Sequence, residues 1–245
     1  MVDNGSTDDS VEIIRTEYPS VRLIQPGHNT FFSGGNNIGI QAARGDNLLL
    51  LNPDTEIHPG MLEKLLAYLN NHLDCGLVTA RQLWTDGTTL PICSRFNRPV
   101  DLWMGATFVG SLLPGLRNRL RAQMWYADWD RMSDRDVDVA PGSCMLIPRH
   151  VIETVGAFDE TMPMYFSDDD LCWRIWQAGY RIHYLADATL THAERSTTRH
   201  ISKRARALYY HDLNVYARKH FGLLRALPLQ IAAQITRRLL DLKPG

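Results

Sequence analysis

Short apolar runs alternate with helically spaced segments along the first eighty residues, and that alternation predicts an α/β domain. Ser6-Thr7-Asp8-Asp9 reads as a helix start with capping-box character, and the helix should stop near Tyr18, ahead of Pro19. Val21 to Ile24 predicts a strand, Asn36 to Arg44 a helix closed by Gly45, and Leu48 to Leu51 a fully buried strand. Met61 to Leu73 has amphipathic helical spacing, and Leu77 to Ala80 is a further strand. The pattern lapses from about residue 83 to 136, where a turn at Asp86-Gly87, several tryptophans and Arg/Pro breaks indicate an insertion.

It resumes with Val137 to Ile147, a helix near Val151, and a helix from Asp168 to Ala178 with Gly179 at its C′ position. Leu171, Ile175 and Trp176 make that helix's predicted core-facing stripe, and Tyr180 to Leu185 is the last strand. The expected architecture is a mostly parallel sheet flanked by helices over residues 1–202, followed by a basic, amphipathic helical tail over 203–245.

Composition adds limits. With 44% hydrophobic and 22% charged residues, the 245-residue chain has the make-up of a globular domain with a sizeable core. Four cysteines stand far apart with no CxxC pair, so reduced thiols are expected rather than a zinc site or disulfide framework. Met1 to Gly5 has neither a basic start nor an apolar core, and no apolar run approaches the ~20 residues of a spanning helix. The expected location is cytoplasmic, or peripheral on the cytoplasmic face of the inner membrane. The net charge of −1 conceals an acidic body, −10 through residue 194, and a tail of +9. That tail fits an anionic membrane surface. Nucleic acid fits poorly, because the acidic body would repel it and no recognition motif is present.

Four places carry candidate chemistry, two of them bearing carboxylates. In Leu51-Asn52-Pro53-Asp54, Pro53 ends a strand and presents Asp54 at its carboxyl end, where open α/β sheets bind ligands. Asp54 is there either a ligand for Mg²⁺ or Mn²⁺ or the cap of an Asx-turn. Asp168, Asp169 and Asp170 open a helix, which capping explains in part, but three adjacent acids repel and should raise at least one pKa, as a general base requires. His192 follows the last strand as a packing residue or a metal ligand. A loop with Gly34, Gly35, Asn36 and Asn37 opens a helix and is either a simple turn or a backbone cradle for phosphate or ribose.

In order and spacing, Val2-Asp3-Asn4-Gly5-Ser6-Thr7-Asp8, Asn29 to Gly39, Leu51-Asn52-Pro53-Asp54-Thr55, Gly142 to Ile147, Phe158 to Arg174, His192 and Lys219-His220-Phe221-Gly222 resemble the family-2 glycosyltransferases, most of all the bacterial rhamnosyltransferase-like branch. The resemblance implies a GT-A fold, a nucleotide-diphosphate-sugar donor, a divalent metal (Mg²⁺ or Mn²⁺), inversion at the anomeric carbon, and a cell-surface polysaccharide or lipid-linked glycan acceptor. It makes Asp3 a contact of the donor's nucleoside, with Asn4, Gly34, Asn36, Asn37 and Asn52 on the donor side. Asp54 becomes the acid that reaches the diphosphate through the metal, and His192 completes the metal shell. Asp168 becomes the catalytic base, supported by Asp169, Asp170, Arg174 and Gly142. Ser167 stands where the family usually has Glu, and the family's first strand and helix are missing ahead of Met1. The alternative expectation is therefore a non-catalytic, truncated module that binds nucleotide, membrane or a partner.

Overall fold

A computed structural model gives the arrangement, and it describes residues 1–193 and 202–242. Arg195 and Arg199, part of the basic tail, and the stretch leading to the 202/203 boundary lie outside the described residues. The chain runs α1 (Ser10–Glu17), α2 (Phe31–Ala42), β1 (Asn47–Leu51), β2 (Thr55–Ile57), α3 (Met61–Asn71) and β3 (Cys75–Leu83). The insertion then forms α4 (Pro99–Ala106), α5 (Val109–Leu112), α6 (Pro114–Met124) and β4 (Arg135–Asp136). It continues with β5 (Cys144–Pro148), α7 (Arg149–Val155), α8 (Ser167–Gln177), β6 (Arg181–His192), α9 (Lys203–Phe221) and α10 (Leu223–Asp241).

The strands order β1-β5-β3-β6-β2, with β4 also on β6. Only β3 and β6 pair in parallel; β1–β5, β3–β5, β2–β6 and β4–β6 are antiparallel. The α/β class holds, but the expected mostly parallel sheet is corrected to a mixed one. Apolar runs such as Leu48 to Leu51 carry no direction, and the long passage through the insertion brings β5 back alongside β1 from the opposite end. Side chains of β5 alternate between two cores: Met145 and Ile147 join Leu48, Leu50, Leu171 and Ile175 on one face, while Cys144 and Leu146 join Met61, Leu65 and Leu69 on the other. Each fully buried Leu or Ile contributes about 1.5–3 kcal/mol relative to exposure, so this strand is held from both sides.

Several boundaries move. Val21 to Ile24 is no strand; Ile24 makes a single parallel bridge with Val2. The second helix starts at Phe31 rather than Asn36, because Gly34 and Gly35 lie inside it. A Cβ on Gly35 would meet Asn4 Nδ2 at 2.8 Å, so the glycine serves close packing rather than a loop. Val137 to Ile147 is not one continuous strand: Cys144–Pro148 forms β5, and ahead of it Val139 makes a single antiparallel bridge with Ser94. The last strand extends to His192, passing a register irregularity opposite Ala80 and Arg81. Trp176 is 55% exposed, and Cys172 takes its place in the buried stripe beside Leu171 and Ile175. Gly179 follows the C-cap of α8 at φ +90°, as its predicted C′ position requires. α9 and α10 pack on the body, with Leu213, Tyr216, Ala226, Leu229 and Ala233 sharing a core with Leu102 and Met162.

Candidate active site

The loop after β1 and the end of β6 build the first half of the site. β2 leaves the Asn52–Asp54 turn and pairs with β6, placing Thr55 opposite His192. Asp54 Oδ1 lies 3.2 Å from His192 Nε2, with the carboxylate 40% exposed and the ring nearly buried. The other ring nitrogen, Nδ1, is 3.0 Å from Oε1 of the fully buried Gln82. That amide oxygen can only accept, so it fixes the proton on Nδ1 and leaves the Nε2 lone pair of a neutral ring facing a carboxylate. Two electron-rich atoms so placed need a proton or a cation between them. The donor set, one imidazole nitrogen and one partly open carboxylate, fits a divalent cation. Among the described residues no three His, Cys, Asp or Glu side chains converge as a ready-made cation cage. Further ligands would come from the substrate's phosphates and water, as is usual for Mg²⁺.

The second half is the start of α8. Phe166 precedes the helix at φ +60°, a left-handed conformation that costs a non-glycine residue about 1–3 kcal/mol. Its ring packs against Tyr209 and Tyr216, which holds the turn. Asp168 Oδ2 accepts from the Gly142 amide at 3.2 Å and Oδ1 from the Asp169 amide at 3.1 Å. Asp169 accepts a 2.6 Å bond from Asn97 Nδ2 and faces a cavity of about 400 Å³ whose walls include Leu102, Met124, Trp125, Phe166 and Tyr209. Burial raises the pKa of both acids, and for Asp169 the neighbouring Asp168 charge pushes it well above the carboxylate range. Two backbone amides favour the ionised form of Asp168, which partly offsets its burial, whereas the neighbouring Asp168 charge adds to the burial of Asp169.

Asp170 is different. Burial alone would raise its pKa, but His220 and Lys219 hydrogen bonds and the Arg174 charge lower it to about 2. His220 Nε2 is at 2.9 Å, Lys219 Nζ at 2.8 Å and Arg174 Nε at 2.9 Å. Arg174 also donates to the carbonyls of Val155, Gly156 and Ala157. Asp170 and Arg174 therefore fasten α8 to α9 and to the loop after α7. Ser167 is fully buried and its hydroxyl has no partner.

One dipeptide joins the halves. Gly142 donates to Asp168, while the Ser143 carbonyl accepts from the Asn52 amide at 3.1 Å. The Ser143 hydroxyl bonds Gln82, which holds His192. Gly142 has no room for a Cβ, which would lie 2.4 Å from Phe32 Cζ. Sequence reasoning missed Gln82, Ser143 and Asn97. Gln82 was discoverable as a polar residue at the carboxyl end of a buried strand, had that strand been extended past Ala80.

On the remaining side, Asp3 is buried and accepts from the Ser6 amide, and hydrogen bonds from Ser6 lower its pKa. Asn4 ties the turn to α2, donating to Phe31 O and accepting from the Thr30 amide. Asn37 bonds both ways to the Phe158 backbone and donates to Glu160, and Asn36 donates to Phe32 O within its own helix. Gly34 packs against Thr30. Asn4 and Asn37 thus use their amides within the fold and shape this flank.

A mixed sheet flanked by helices, with carboxylates at strand and helix ends, is the fold of the GT-A glycosyltransferases. Two solved structures share it. A Pyrobaculum calidifontis mannosyltransferase, determined with GDP-Man and Mn²⁺, aligns at TM-score 0.55 and 16% identity over 100% of this chain and 66% of its own. GalNAc-T7 with UDP, GalNAc and Mn²⁺ aligns at TM-score 0.58 and 14% identity over 98% of this chain and 48% of its own. The family model "Glycosyltransferase like family 2" matches residues 1–210, and the chain belongs to that family. It is a glycosyltransferase. The N-acetylglucosaminyl-diphospho-decaprenol L-rhamnosyltransferase of Mycobacterium tuberculosis is 28% identical over 92% of this chain and 76% of its own length. The low-salt glycan biosynthesis hexosyltransferase Agl10 of Haloferax volcanii is 26% identical over 71% of this chain and 52% of its own.

Proposed function

We propose that the chain catalyses inverting transfer of a sugar, with rhamnose the first candidate, from a nucleotide-diphosphate donor to a lipid-linked glycan acceptor at the cytoplasmic face of a membrane. The observation that carries this is the pairing of Asp54–His192 with Asp168 across Gly142-Ser143. The mycobacterial relative's diphospho-decaprenol acceptor supports the lipid-linked reading.

Asp54 and His192 Nε2 would hold Mg²⁺ or Mn²⁺, which supplies charge neutralisation to the departing diphosphate. Gln82 orients the imidazole, and Asp3, with the flank shaped by Asn4, Gly34, Asn36, Asn37 and Asn52, receives the nucleoside side of the donor. Asp168 takes the proton of the acceptor hydroxyl as that oxygen bonds to the anomeric carbon and the bond to the diphosphate oxygen breaks. Its raised pKa strengthens it as a base, and the amides of Gly142 and Asp169 fix its direction. Asp169, held by Asn97 and with its pKa raised by burial and by the Asp168 charge, lines the cavity proposed to take the acceptor.

The test is metal-dependent release of nucleoside diphosphate from a panel of sugar nucleotides with a polyprenyl-diphosphate-sugar acceptor. Release should disappear in Asp54→Ala and in Asp168→Asn. Nucleotide binding with no release from any donor would instead support the non-catalytic module.

A further inference from the structure

α10 is apolar on two opposite sides. Ala226, Leu229 and Ala233 face inward and are buried against α9 and α4. Leu224, Leu227, Ile231, Ile235, Leu239 and Leu242 recur at steps of three and four and are 45% to 91% exposed. A helix on a globular body needs only the inward stripe. The second stripe has no cover among the described residues, and a continuous apolar row of this length marks an interaction site.

The insertion extends the same surface. The Phe108 amide, at the start of α5, donates to Thr236 Oγ1 of α10 at 2.9 Å. Beside it Leu112, Leu113 and Leu116 are exposed, and α6 buries none of its residues. The charges on both helices are positive but for one residue. α6 carries Arg117, Arg119 and Arg121 and no acid; α10 carries Arg225, Arg237 and Arg238. The single acid, Asp241, is already engaged by Arg206 at 2.6 Å and Arg237 at 3.7 Å.

We infer that α6 and α10 together form a docking face for an anionic lipid bilayer, and that α6 lies between that bilayer and the acceptor cavity beside Asp169. Exposed leucines and isoleucines among arginines are what the headgroup boundary of an anionic leaflet accepts. A second copy of the chain is a poorer occupant, because it would set arginines against arginines. The cavity side of α6 carries Arg117, Leu120, Arg121 and Met124. A lipid-linked acceptor could enter past this helix with its chain still in the membrane, and the two arginines would meet its diphosphate. This second half rests on the glycosyl-transfer reading above; the docking face does not.

The experiment is flotation of the full chain with vesicles of phosphatidylcholine alone and of phosphatidylcholine with phosphatidylglycerol. Flotation with the anionic vesicles only is expected. Ile231→Ser with Ile235→Ser should weaken the partition about tenfold or more. Arg119→Gln with Arg225→Gln should weaken it about fivefold per arginine. All four side chains are on the surface, and unchanged circular dichroism and melting confirm that the fold is kept. Absence from both vesicle types, equal flotation with both, or wild-type partition by the double serine variant would overturn the proposal. So would a solution dimer that this variant dissociates while no lipid binding is seen. Flotation needs no turnover, so Asp168→Asn should float like the wild type. Loss of transfer with flotation intact sinks only the catalytic reading, and the reverse sinks only the docking face.

Discussion

Asp169 and Asp170 are adjacent in the chain and face opposite environments. Asp170 looks towards α9 and the loop after α7, where Lys219, His220 and Arg174 surround it and hold its pKa at about 2. Asp169 looks towards the cavity beside Phe166 and Tyr209; among the described residues no cation pairs with it or with Asp168, and burial raises both pKa values. One side of the helix start is therefore a satisfied ionic joint, and the other a pair of carboxyls whose pKa values burial raises. Stability belongs to the first and chemistry to the second, because a group with every partner in place has nothing left to offer a substrate.

The widest separation of the two sides should come from isosteric amides. Asp168→Asn should lower transfer by about 10²–10⁴-fold while leaving the melting temperature unchanged or higher, since it removes an unfavourable buried charge. Asp170→Asn should do the reverse, costing roughly 3 kcal/mol of stability in denaturant titration, because it removes the buried charge that Arg174 and His220 meet, while Lys219 keeps its pairing with Asp159. Gln82→Met should be milder, weakening Mn²⁺ affinity about 10–100-fold by releasing the His192 tautomer, with folding preserved.

Acid gives the smallest effect and sharpens the contrast through its sign. The folded-state pKa of Asp170 is depressed, so its contribution is present above the ordinary carboxylate value near 4 and is lost as pH falls towards about 2. That loss is on the order of 2 kcal/mol, and Asp170→Asn should not show it. For Asp168 the shift is upward, so the acidic limb of the rate profile should lie above about 4. A limb at or below 4 would break the assignment of Asp168 as base.

Much of this site was readable beforehand, for specific reasons. Asp54 follows a strand-ending proline and Asp168 lies in a run of three acids in the first turn of a helix, and both signals are local in the chain. Gly179 was equally local, as a residue at φ +90° behind a helix. What escaped notice depended on contacts distant in sequence. Gln82 reaches His192 across 110 positions and Asn97 reaches Asp169 across 72; Gln82 lies past the expected end of its strand, and Asn97 lies in the unpatterned insertion. The two supporting acids, Asp169 and Asp170, could not be told apart either, because Lys219 and His220, which claim Asp170, come from a helix about fifty residues further on. Strand direction was hidden for a different reason: a strand buried on both faces has the same apolar pattern read either way.

The most direct test of the account is a side-by-side assay of wild type, Asp168→Asn and Asp170→Asn for nucleoside-diphosphate release and for Mn²⁺-dependent nucleotide binding. The account predicts that Asp168→Asn binds nucleotide as the wild type does and releases essentially none by transfer, while folded Asp170→Asn retains transfer at a lowered melting temperature. Transfer by Asp168→Asn at the wild-type rate, or its loss only from folded Asp170→Asn, would contradict it.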